Sequence, residues 1–195
     1  MAGKRLSHEI IELNGKDTFM KAKVDAFGIG KVLCSFVKFD TMTNKAIMDC
    51  NIYVSFEEMK QLCNDILSGR IAKLGQEELK KGAKFPQAVW SSMGGTDAKK
   101  CAEKGLRTDG MAESRVIKLS PGSKVPFVFS CESGKGEENA TGLIVPRYGT
   151  SPEKRIIVPI SADLLKQFAL MVDTYINSFV TYQFITGAYD STWKG

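Results

Sequence analysis

The sequence predicts an α+β protein made of two β-β-β-β-α repeats, with antiparallel sheets packed around helices. Three observations carry this. Val54–Cys63 aligns without a gap on Ile160–Ala169, with Ser55/Ser161, Lys60/Lys166 and Gln61/Gln167 identical. The match continues at Ile66 over Val172 and, upstream, at Ile52 over Val158. A β-like run precedes each serine, and a helical apolar pattern follows it. The chain therefore reads as one domain of two repeats, 8–69 and 113–186, joined by a basic, partly flexible segment, 70–112.

In the first repeat, His8–Leu13 reads as a short strand closed by the turn pair Asn14-Gly15. Thr18–Phe27 alternates, with Thr18, Met20, Ala22, Val24 and Ala26 on one face and Phe19, Lys21, Lys23, Asp25 and Phe27 on the other. Gly28-Ile29-Gly30 permits a reversal into Lys31–Asp40, apolar enough to be a central strand. Lys45–Val54 completes four strands. Ser55 and Glu58 then form a capping box, and Met59, Leu62, Cys63, Ile66 and Leu67 mark one buried helical face. Gly69 suits the end of that helix.

Residues 70–112 break the pattern. Gln76–Lys81 extends a helix, but Pro86 and the glycines at 94, 95, 105 and 110 interrupt it, and 93–112 reads as irregular. The second repeat opens with strands at Arg115–Leu119 and Lys124–Glu132. Pro126 argues for an edge position or a bulge there. Gly134–Gly142 reads as a solvated loop, and strands at Thr141–Arg147 and Lys154–Ile160 follow. Ser161 caps a last helix running to about Thr186, apolar on more than one side, which suits burial between sheets or a homo-oligomer contact.

Composition limits the function classes. With 43% hydrophobic and 25% charged residues, the 195-residue chain matches a soluble globular protein with a substantial core. No apolar run approaches the roughly 20 residues that span a bilayer, and Met1–Glu12 does not resemble a signal peptide. The five cysteines, with no Cys-x-x-Cys, fit buried free thiols in a reducing cytoplasm. The formal charge of +5 is concentrated in residues 70–112 and at Lys4 and Arg5, which suits a polyanionic partner or a solvated Lys-rich linker.

Enzyme signatures are lacking. His8 is the single histidine, and there is no metal-ligand spacing or phosphate-cradling Gly-x-x-x-x-Gly-Lys. No cofactor or metal is expected. Asp25, Asp40 and Asp49 would be the ligands of a Mg²⁺-dependent nuclease, a lesser reading. By contrast, Phe19, Lys21, Lys23 and Phe27 interleave rings and ammonium groups on one strand face, a combination that binds single strands by stacking and phosphate contact. Lys31 and Lys38 extend that surface, as do Arg115, Lys118 and Lys124 in the second repeat. The same strand also suits a second core layer, with Phe19 and Phe27 inside and the lysine stems around them.

Two four-strand-plus-helix units in one chain resemble the Whirly fold. The transcriptional positive-cofactor-four family builds a similar arrangement by dimerising one such unit. The resemblance lies in element order over 8–69 and 113–186. The Lys-Gly-rich strand motif of plant Whirly proteins is absent, so it assigns no residue. It implies a non-enzymatic, single-stranded-DNA-binding protein of low sequence specificity, with RNA as a further partner. The rival reading is a protein-interaction scaffold.

Overall fold

A computed structural model describes residues 8–187. Lys4 and Arg5, counted in the charge excess, lie outside the described residues. The first four strands, β1 (Glu9–Asn14), β2 (Thr18–Lys23), β3 (Lys31–Phe39) and β4 (Ala46–Ser55), form an antiparallel meander in the order β1-β2-β3-β4. Alternation sets its faces. Thr18, Met20 and Ala22 are buried, and Phe19, Lys21 and Lys23 turn to the outer face. β2 stops at Lys23, short of the Phe27 expected from the pattern. Phe27–Ile29 instead forms a 3-10 turn, and Gly30, at φ 68°, carries the chain back into β3.

Helix α1 (Phe56–Leu67) and the last helix, α4 (Ala162–Ile185), start alike. The Ser55 hydroxyl accepts from the Glu58 N–H and the Ser161 hydroxyl from the Leu164 N–H, each at 3.2 Å. Each cap satisfies one backbone donor that the first helical turn leaves open. The two helices pack along one another. Lys60 of α1 joins them by donating to Asp173 at 2.8 Å and to Asn177 at 2.6 Å.

Residues 70–112 are more regular than their sequence suggests. They hold α2 (Arg70–Lys80), β5 (Trp90–Thr96) and α3 (Ala98–Glu103). β5 pairs with β6 (Ala112–Pro121) and makes the second sheet five-stranded. β6 pairs with the long β7 (Phe127–Glu138), and β7 then serves two partners. Its first half pairs with β9 (Lys154–Ile160) and its second with β8 (Ile144–Pro146). The solvated loop expected over Gly134–Gly142 is therefore partly strand. Pro126 lies just before β7, so this central strand loses no ladder bond to it.

Glycine has a packing reason in this sheet. Gly95 on β5 stands opposite Ser114 on β6, and Gly136 on β7, paired with Ala112, lies diagonally beside Ser114. Their missing or short side chains leave room for buried Ile144. A Cβ on Gly95 would meet the Glu113 carbonyl oxygen at 2.3 Å and the Ile144 Cβ at 2.8 Å. A Cβ on Gly136 would meet the Ile144 Cγ2 at 2.7 Å.

One core joins both sheets and the helices. Met20, Phe36 and Ile52 from the first sheet meet Phe129, Ile156 and Val158 from the second, with Leu62, Phe168 and Val172 from the helices. Phe129 and Phe168 pack edge to face at 5.3 Å between ring centroids. The sheets also cross directly where the Thr18 hydroxyl donates to the Ile157 carbonyl at 2.8 Å. All five cysteines are free and buried. Among the described residues, no helix is long and apolar enough to cross a membrane.

Candidate nucleic-acid interface

The outer face of the first sheet is an ordered grid. Register places Lys23, Leu33 and Tyr53 in one row across β2, β3 and β4. The next rows are Lys21, Ser35 and Asn51, then Phe19, Val37 and Asp49. Strand spacing makes each row about 10 Å wide. Ser55 stands opposite Lys31 at the end of β4.

Charge on this grid is largely compensated at β2. Lys21 donates to Glu9 at 2.7 Å and to Glu12 at 2.8 Å, and lies 5.2 Å from the Phe19 ring centroid. The hydrogen bond to Glu12 raises the Lys21 ammonium above its ordinary range and lowers the Glu12 carboxyl. Phe19 lies beside Phe39 at 6.1 Å. Lys38 faces Asp17 at 3.6 Å. In the second sheet, Lys118 donates to Glu132 at 2.6 Å, and the same carboxylate accepts from Arg155 at 2.9 Å. Lys124 is exposed beside the β6–β7 turn, apart from the other candidates. Phe27 does not share the β2 face. It is buried, packed edge to face on Phe56 at 4.9 Å and Phe179 at 5.3 Å. Its aromatic ring belongs to the core, as the alternative reading of that segment had it.

Lys31 and Arg115, from different repeats, do come together. They line one cleft of about 300 Å³ where β4, the edge of the first sheet, faces β5, the edge of the second. Among the described residues neither forms an ion pair with a carboxylate, and the Arg115 guanidinium donates to the Thr96 hydroxyl at 3.2 Å. Four partly exposed apolar side chains converge on the same cleft: Ile29, Tyr53, Met93 and Leu143. The cleft continues the outer grid, since Tyr53 and Asn51 belong to both.

No protein-family model matches the sequence, and no curated protein does. Among solved structures, the chain is similar to the plant transcriptional regulator PBF-2, a Whirly protein. The identity is 10% and the TM-score 0.49, over 94% of this chain and 88% of that one. The likeness assigns no residue a role.

Sequence reasoning missed Tyr53, Asn51, Met93 and Leu143. For two of them the signal was present. Cys50, Ile52 and Val54 are buried, so alternation turns Asn51, Tyr53 and Ser55 outward. Met93 and Leu143 lie in segments whose glycines hid the strand edge and the turn that position them. The three aspartates weighed for a nuclease are spent elsewhere. Asp25 faces His8 at 3.5 Å, Asp49 lies 4.0 Å from Lys154, and Asp40 accepts the Met42 and Thr43 N–H groups. Among the described residues, no group of three metal-ligating side chains gathers.

Proposed function

We propose that the protein binds single-stranded nucleic acid, without catalysis, as a transcription or DNA-metabolism factor in a reducing compartment such as the cytoplasm. The convergence of Lys31 and Arg115 on a cleft with an exposed tyrosine supports this reading. Unpaired cations neutralise phosphates, and an aromatic face stacks on a base whatever its identity. Lys23, one row end away from Tyr53, extends the path across the sheet. Lys21, Lys38 and Lys118 contribute less, because carboxylates already hold them. The test is anisotropy of labelled dT30, oligo-U and matching duplex at low and moderate salt. Salt-sensitive binding to single strands is the expected result. Equal or stronger binding to duplex, or none at low salt, refutes it.

A second observation favours self-association. Residues 174–186 carry no charged side chain, and Tyr182, Phe184 and Ile185 at the end of α4 are exposed. We propose that this end of α4 joins copies of the chain. Sedimentation of wild type and Ile185→Lys checks it, and a monomeric wild type refutes it.

A further inference from the structure

We propose that the cleft selects a guanine base from the bound single strand, through the carboxylate of Glu58. This rests on the single-strand reading above and adds a base preference at one position of an otherwise sequence-tolerant contact. Glu58 lines the cleft together with Lys31, Tyr53 and Arg115. Its carboxylate is fixed from both sides. The Ser92 hydroxyl, on the second sheet, lies 3.2 Å from each of its oxygens, and the Ser55 hydroxyl lies 3.2 Å from one of them. These are the only partners its oxygens have among the described residues, and no cation pairs with it. An oriented, uncompensated acceptor pair thus stands within a site otherwise suited to a polyanion.

The chemistry of that pair is selective. An ionised carboxylate only accepts, and its two oxygens take two parallel donors. Of the common bases, guanine alone offers two adjacent donors, N1–H and N2–H, on its Watson–Crick edge. Adenine and cytosine offer one amino group beside an acceptor. Thymine and uracil offer one N–H between two acceptors. Single-stranded bases present this edge freely, and reading it is the ordinary route to sequence preference in single strands. Tyr53 lies two residues before Ser55, about 6.6 Å along β4, within reach for its ring to carry the base while Glu58 meets its edge.

The test uses the whole chain and dT15 probes whose central residue is guanine, adenine, cytosine, thymine or hypoxanthine, which lacks the N2 amino group. The readout is the ratio of affinities within each protein. Wild type should bind the guanine probe about tenfold tighter than the thymine probe, and hypoxanthine should lose most of that gain. Glu58→Gln keeps a residue suited to the capping box and should bring the ratio near one. Unfolding midpoints of both proteins confirm that folding is intact. Equal affinities in wild type, or a guanine preference surviving in Glu58→Gln, overturn the inference and leave single-strand binding standing. Failure of every probe to bind overturns both.

Discussion

Lys21 donates to Glu9 and Glu12 on the neighbouring strand, at 2.7 and 2.8 Å. The residue that best marks a basic strand in the sequence is thus already neutralised by its own sheet. Arg115 and Lys31 have no such counter-ion among the described residues. Replacing Lys21 with Ala should therefore weaken single-strand binding less than Arg115→Ala or Lys31→Ala. Each of the latter two should flatten the salt dependence, reducing the slope of log K against log salt by about 0.7. Titrations at four salt concentrations check this. A larger effect at Lys21 would move the interface to β2.

Gly95→Ala should destabilise the second sheet. The new methyl would strike the Glu113 carbonyl oxygen and Ile144, neither of which can step aside without moving β6 or β8. Overpacking of this kind costs about 1–3 kcal/mol. Urea unfolding measures it, and Gly28→Ala, where a Cβ meets nothing within 4 Å, is the control.

Phe168→Ala should cost about 3–5 kcal/mol, because the ring is fully buried against Phe129 in the core shared by both sheets. Loss of both sheets in one transition is the expected result in circular dichroism.

Acid should act through Arg107. Its guanidinium, almost buried, pairs with Asp109 at 2.7 Å, Glu113 at 2.8 Å and Glu153 at 2.8 Å. These contacts hold the Asp109 and Glu153 carboxyls below their ordinary range, the hydrogen bond from Arg107 being the main cause. A depressed carboxyl contributes stability that is present above its unfolded pKa, about 4, and is lost as pH falls through its folded value. Arg107→Gln should be less stable than wild type at pH 7. The gap should narrow below about pH 4. Melting midpoints between pH 7 and pH 3 read it directly.

Much of the fold was legible because period carries it. The strands of the first repeat, save the end of β2, follow from alternation, the course of both long helices from the 3.6-residue repeat, and the caps from Ser55-x-x-Glu58 and from Ser161 at the start of the second apolar run. β5 was not legible. Its inward positions are Trp90, Ser92, Gly94 and Thr96, so it lacks the apolar alternation that marks a strand. What makes it one is the neighbouring β6 and the space that Ile144 requires. The candidate site was legible in residue types and not in arrangement. Whether a lysine is free depends on what stands opposite it, and Glu12 faces Lys21 only once register is set. Phe27 misled for a similar reason, since a 3-10 turn after Lys23 rotates it off the strand's phase and into the core.

The buried thiols make the chain its own stopwatch. Cys34 and Cys50 sit in the first sheet, Cys63 in α1, Cys101 in α3 and Cys131 in the second sheet. Burial pushes the Cys34 and Cys63 thiols up to about 12, so little thiolate is present while the fold is closed. All five sulfurs are buried, so an alkylating reagent reaches each one only during an opening of the element that covers it. Mass spectrometry of timed quenches would give five separate opening rates from one unmodified protein, and adding an oligonucleotide would show which of those openings the ligand slows.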